Sequence, residues 1–231
     1  MKVLALNASP NEDYGNTSLI LNPFLDGMAE AGAETELIYL NRLNILPCRE
    51  CTNDPEFVTE GHCYCDDDMN MLYPKFRESD IWVFATPNYY DGIVPRMKHM
   101  LDRMEPLFNL GENFSSSNGF TGKLSLVATC DLYDLDNFEL ITGHFHSLSN
   151  LFARDFSGAL LRPHINALIA LKDTGSSVDD VFNAAREAGR QVIKSGTISK
   201  QVQDSVSRRL VPKKSFFADL GKLTGKNLSF A

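Results

Sequence analysis

The chain has 231 residues, 43% of them hydrophobic and 23% charged, and a formal net charge of −8. This size and balance suit one α/β domain with additions rather than two small domains, and the acidic total argues against nucleic acid as a partner. No apolar run approaches the roughly 18 residues of a membrane span, and the N-terminal run is too short for a secretory signal, so a cytoplasmic protein with no membrane span is expected.

Strand-like and helix-like periodicities alternate along the chain. Apolar runs at residues 3–8, 35–40, 81–86, 124–129 and 156–161 read as strands. Segments with 3.6-residue spacing at 17–31, 67–78, 94–104, 137–154 and 178–194 read as helices. Five strands with intervening helices predict a parallel sheet covered on both faces.

The first strand runs into Ser9-Pro10-Asn11 and then Gly15-Asn16-Thr17-Ser18 before the first helix. Such a junction collects unpaired backbone N–H groups at the positive end of a helix dipole, and hydroxyls and an amide add donors. Neither the G-x-G-x-x-G of a dinucleotide site nor the lysine-bearing P-loop occurs here. No Lys or Arg lies between Lys2 and Arg42. A single phosphate monoester held by neutral donors fits this loop better than a nucleotide triphosphate, and FMN better than ATP or NAD.

Four of the five cysteines follow as Cys48-x2-Cys51-x11-Cys63-x-Cys65 in a long connection, residues 41–66. In a cytosolic protein that clustering suggests a metal or redox site, with thiolates suited to Zn or an iron–sulfur cluster. The other reading is a loop of partly buried free thiols. Asp66-Asp67-Asp68 is read as the acidic opening of the second helix rather than a metal site. His144 and His146 point to different sides of a helix and are not taken as a metal pair. Met97, Met100, Leu101 and Met104 form one helical stripe, read as core.

From Lys194 onward eight Lys or Arg face two Asp or Glu, a net +6, which leaves −14 on residues 1–193. Residues 1–195 are therefore read as the main domain and 196–231 as a basic extension. Its charges are interleaved with Leu210, Val211, Phe216, Phe217 and Leu220, so it is expected to dock on the acidic body of its own or a neighbouring subunit.

The first loop, together with Thr86-Pro87-Asn88-Tyr89-Tyr90, Met97-Lys98 and Leu101-Asp102-Arg103, resembles the NAD(P)H-dependent FMN reductases and iron–sulfur flavoproteins of flavodoxin-like fold. The resemblance covers about the first 165 residues. It implies a doubly wound sheet of order 2-1-3-4-5 with FMN at the carboxyl ends of the strands. Ser9, Asn11, Asn16, Thr17 and Ser18 map to its phosphate loop, although the family usually carries Arg or Lys at Asn11. Pro87, Asn88, Tyr89, Tyr90, Asp91 and Gly92 would face the isoalloxazine, the tyrosines with flat faces and the backbone with N–H groups. Thr129 and Asp131, in Thr129-Cys130-Asp131-Leu132-Tyr133, would form a third wall. The cysteine spacing departs from the tighter run of the cluster-binding relatives; Cys48, Cys51 and Cys63 match positions that cluster-free relatives also carry, and Cys65 is additional.

The resemblance implies an FMN-dependent oxidoreductase, a homo-oligomer, passing electrons from NAD(P)H to a small-molecule or protein acceptor such as a quinone, a flavin or iron. The flavin carries the chemistry, so no side chain is named as catalytic. The competing reading is a non-catalytic flavodoxin-like electron carrier or redox sensor.

Overall fold

The computed structural model describes residues 1–50, 63, 65–107 and 121–224. Five strands form the sheet: β1 (Lys2–Asn7), β2 (Glu34–Tyr39), β3 (Ile81–Pro87), β4 (Gly122–Thr129) and β5 (Arg154–Arg162). Their order is β2-β1-β3-β4-β5, as the resemblance implies, and every pairing is parallel, as expected from the alternating pattern. The helices are α1 (Ser18–Glu30), α2 (Met69–Glu78), α3 (Pro95–Asp102), α4 (Glu139–Leu151), α5 (Ile165–Asp173), α6 (Asp179–Ser195), α7 (Lys200–Ser207) and α8 (Lys213–Thr224).

Successive side chains of a strand point to opposite faces, and here both faces are apolar. Leu4, Leu6, Trp82, Phe84, Leu124 and Leu126 pack against α2, α3 and α4. Val3, Ala5, Ile81, Val83, Val127 and Leu160 pack against α1, α5, α6 and α7. Met97, Met100 and Met104 are buried in the first of these clusters, as their helical stripe suggests.

Element ends differ from the sequence expectation where a side chain is drawn elsewhere. The second helix starts at Met69 rather than 67 because Asp67 turns inward. Its carboxylate accepts the Met69 N–H at 3.0 Å and pairs with Arg103 at 2.8 Å, both side chains almost fully buried. The fourth helix stops at Leu151, and β5 begins at Arg154 instead of 156. The Arg154 guanidinium lies 3.6 Å over the Trp82 ring and donates to the Ser79 and Asp80 carbonyls, which fixes that residue in the sheet. Helices α5, α7 and α8 had no counterpart in the pattern reading.

The segment after α6 packs across β5. Gly158 has φ +129° at a bulge opposite Leu124 and Ser125, and a Cβ there would meet Ile198 at 3.2 Å. The Ile198 N–H donates to the Ser157 carbonyl at 2.8 Å. Arg162, fully buried, donates to the Val206 carbonyl at 2.7 Å and the Arg208 carbonyl at 2.8 Å.

Candidate functional site

Parallel strands deliver the loops after β1, β3 and β4 to one edge of the sheet, the carboxyl edge, where such folds take ligands. These loops and the segment after β5 enclose a cavity of about 780 Å³. That is within the range of small-molecule and cofactor sites. Its lining includes Ser9, Asn11, Asn16, Thr17, Pro87, Asn88, Tyr89, Tyr90, Asp91, Thr129 and Asp131.

The first loop is built around its own short hydrogen bonds. Asn7 accepts the Ser9 N–H at 2.8 Å and donates to the Ser18 hydroxyl at 3.0 Å, and Ser18 donates to the Glu12 carbonyl at 2.7 Å. The Ser18 hydroxyl is thus engaged inside the loop, and Ser18 does not line the cavity. Among the described residues, the amides of Asn11, Asn16 and Thr17 have no hydrogen-bond partner. Those of Asn16 and Thr17 stand at the start of α1, where the helix dipole favours an anion, and that of Asn11 precedes the short 3-10 turn Glu12–Tyr14. Gly15 lets the loop close on itself, since a Cβ there would come within 2.2 Å of the Ser9 hydroxyl oxygen.

Glu12 and Asp13 put two carboxylates beside these donors. Arg42 meets both, at 2.5 Å and 2.9 Å, and Tyr39 donates to Asp13. The Tyr39 hydrogen bond, followed by Arg42, holds the Asp13 carboxyl below its ordinary value. A basic residue is absent at Asn11 but present nearby, contributed from the end of β2.

The second loop contains a tight reversal. Tyr89 and Gly92 exchange both backbone hydrogen bonds, and Tyr90 and Asp91 between them have φ of +51° and +60°. Two left-handed residues make a turn of the kind that favours Asn-Gly. Tyr and Asp in those positions are strained, and such strain clusters at ligand-binding sites. Tyr90 is fully exposed at the mouth and Tyr89 half exposed. Gly92 lies behind the turn and lines a smaller cavity of about 220 Å³ with Lys98 and His144. Asn88 is buried, and its amide nitrogen donates to the Asn137 carbonyl at 2.5 Å. Its Oδ1 is buried with no partner.

The third wall follows β4. Thr129 shares a 2.9 Å hydroxyl hydrogen bond with Thr17, joining the two loops. Burial pushes the Cys130 thiol up to about 11, so it is neutral near pH 7. Asp131 accepts the Asn166 N–H at 3.2 Å. Tyr133 stacks on the His164 ring at 5.0 Å and donates to the Val211 carbonyl at 2.8 Å.

Asp134, Asn137, Ile165, Asn166, Phe216 and Phe217 also line the cavity and were not anticipated there. The aromatic pair in a basic extension was visible in the sequence. What it packs against was not, because that depends on how the chain returns over β5.

Of the cysteine set, Cys48 is exposed, Cys63 half-buried and Cys65 buried, while Cys51 lies outside the described residues. Cys63 and Cys65 are hydrogen-bonded to each other, and burial pushes the Cys65 thiol up. Among the described residues no three His, Cys, Asp or Glu side chains gather around a common point, and no helix is long and apolar enough to cross a membrane.

A family model described as NADPH-dependent FMN reductase matches residues 1–152. Among curated proteins, an iron–sulfur flavoprotein of Methanocaldococcus jannaschii is 36% identical over 107 residues, 46% of this chain and 53% of the relative. One of the same name from Methanosarcina thermophila is 29% identical over 128 residues, 54% of this chain and 63% of the relative. The chain thus spans about half the length of the curated relatives it matches. An NAD(P)H:quinone oxidoreductase from Methanothermobacter marburgensis superposes with a TM-score of 0.59 at 18% identity, covering 83% of this chain and 96% of the other. RosB, solved with a bound formylated riboflavin phosphate, superposes at 0.62 and 14% identity, covering 100% of this chain and 90% of the other. At those identities the superpositions establish the flavodoxin-like fold. The match over residues 1–152, well over half of its length, identifies the chain as a member of the NADPH-dependent FMN reductase family.

Proposed function

We propose that this chain is an FMN-dependent oxidoreductase that takes electrons from NAD(P)H and passes them to a small-molecule or protein acceptor. One observation carries the reading. The unpartnered backbone amides of Asn11, Asn16 and Thr17, the last two at the start of α1, belong to residues that line the same cavity of about 780 Å³ as Asn88, whose buried Oδ1 has no partner. An anion with a polar ring system attached satisfies both ends at once, whereas an empty protein would leave the Asn88 oxygen desolvated at a cost.

In this reading FMN, when bound, supplies the hydride and electron chemistry. The Asn11, Asn16 and Thr17 amides hold the phosphate, with Ser9 and Thr17 as hydroxyl donors. Arg42 offsets one of the two negative charges that Glu12 and Asp13 would set against it. Asn88 Oδ1 would accept a ring N–H, the exposed Tyr89 and Tyr90 would offer flat faces to the ring, and Thr129 fixes Thr17. The neutral Cys130 thiol adds no charge to the wall. Orientation and water exclusion are the protein's part, so loss of any one of these groups is expected to weaken flavin binding.

Titration of FMN with the purified chain, followed by flavin fluorescence, and NADPH and NADH oxidation by the loaded protein test this. Saturable FMN binding with turnover supports the enzyme. Binding without any direct NAD(P)H reaction, but with reduction by a ferredoxin-type donor, would replace it by the electron-carrier reading.

We also propose that Cys48, Cys51, Cys63 and Cys65 hold Zn or an iron–sulfur cluster, supported by their spacing and by the names of the curated relatives. Metal and sulfide analysis of anaerobically purified protein checks it. Absence of stoichiometric zinc or iron would leave the cysteines as free thiols.

A further inference from the structure

We infer that Phe216 and Phe217 are specificity-determining residues: they form the acceptor-side wall of the cavity and select planar aromatic electron acceptors over compact ones. This rests on the FMN reading above. The region that matches the family, residues 1–152, supplies the loops proposed to hold the flavin. The remaining lining comes from later in the chain, with Ile165, Asn166 and the two phenylalanines. The chain's own choice of acceptor is therefore sought in this added wall.

The wall is held firmly. In the residues just before the pair, Arg162 donates to the Val206 and Arg208 carbonyls at 2.7 Å and 2.8 Å. The Leu210 N–H donates to His164 Nε2 at 3.1 Å, and Tyr133 donates to the Val211 carbonyl at 2.8 Å. At the start of α8, Lys213 pairs with Asp134 at 2.6 Å. A segment tied at five points between Val206 and Lys213 presents its next side chains in a fixed geometry.

Those side chains are flat rings. Phe216 lies 5.3 Å from the Tyr133 ring, Phe217 lies 6.2 Å from it, and the two phenylalanines meet edge to face at 5.4 Å and 77°. Both are half-buried and both line the cavity. Aromatic faces reward a planar ligand through stacking beyond area burial alone, and offer a compact, strongly hydrated anion nothing comparable.

The test follows reoxidation of photoreduced, FMN-loaded protein in rapid mixing, with menadione as the planar acceptor and ferricyanide as the compact one. One menadione takes both electrons, with two protons, and leaves as its hydroquinone; two ferricyanide ions take one electron each. In Phe216→Leu and Phe217→Leu, which keep apolar volume and lose the ring, half-saturation by menadione is expected to rise about five- to tenfold. Ferricyanide reoxidation and FMN affinity should stay within about twofold of the unmodified chain, and Phe216→Tyr should restore menadione binding. An equal loss with both acceptors, or a loss of FMN affinity in the leucine variants, overturns the inference while leaving the FMN reading intact. Failure of the unmodified chain to bind FMN overturns that reading, and this inference with it.

Discussion

His164 shows how a single residue ties the cavity to the chain that covers it. Its backbone is left-handed, with φ of +38°, and its ring is buried. Arg162 Nη2 lies 2.8 Å from Nε2 and is always a donor, and the Leu210 N–H points at the same nitrogen from 3.1 Å. Nε2 must accept both, so the ring is neutral with its proton on Nδ1. Burial, then the Arg162 charge, lowers its pKa to about 4, with the Tyr133 backbone opposing, Arg209 acting in the same direction as burial and Asp134 against it. In the unfolded chain the ring titrates near 6.5. Between these values the unfolded state binds the extra proton, so the contribution of His164 is whole above about pH 6.5 and fades as pH falls toward 4. The loss is on the order of 3 kcal/mol across that window. Denaturant unfolding of the native chain at a series of pH values should trace it, and His164→Gln, whose side-chain oxygen accepts without titrating, should flatten it. None of this was legible beforehand: the sequence shows a histidine after Arg162-Pro163, while both partners' positions depend on the chain's return over β5.

At the scale of elements, the close contact of α1 and α6 is specified by two glycines. A Cβ on Gly27 would fall 1.8 Å from the Arg186 carbonyl oxygen, and one on Gly189 would fall 2.0 Å from that of Phe24. The backbones can touch there only because both side chains are missing. Around the contact Arg186 pairs with Asp26 and Arg190 with Glu30, exposed pairs that add little beyond register. Gly27→Ala or Gly189→Ala should each destabilise the fold by about 1–3 kcal/mol, seen as a lower midpoint in thermal or denaturant unfolding. A midpoint unchanged in both variants would mean that the helices are not this close. The strands, by contrast, were plain from the sequence, because a buried parallel sheet demands continuous apolar runs such as Ile81 to Ala85. The polar loop after β1 was plain for a similar reason, since its small and polar residues follow directly on a buried strand. Helices α7 and α8 were not, because they carry short apolar stripes among many charges and gain their burial from tertiary contact.

Across the whole molecule, the two halves of the cavity come from distant parts of the chain. The loops after β1, β3 and β4 form one side, and Ile165, Asn166, Phe216 and Phe217 form the other. Removing residues 196–231 would strip the Val206 and Arg208 carbonyls from the buried Arg162 guanidinium. Burial lowers the Arg162 pKa to about 10, but the group remains charged at neutral pH, so its partners cannot be withdrawn cheaply. Truncation after Ser195 should therefore cost about 3–5 kcal/mol, measured by denaturant unfolding against the full chain. Retained stability would show that Arg162 finds water or other acceptors instead. The same guanidinium also sets an order of events during synthesis. The strands and their loops leave the ribosome first, at roughly 5–20 residues per second, yet Arg162 waits for carbonyls 44 and 46 positions later. A nascent chain in which β1 to β5 are already assembled still holds a guanidinium short of two acceptors and a cavity lacking one wall; Arg208 completes the first, and the second waits for Phe216 and Phe217.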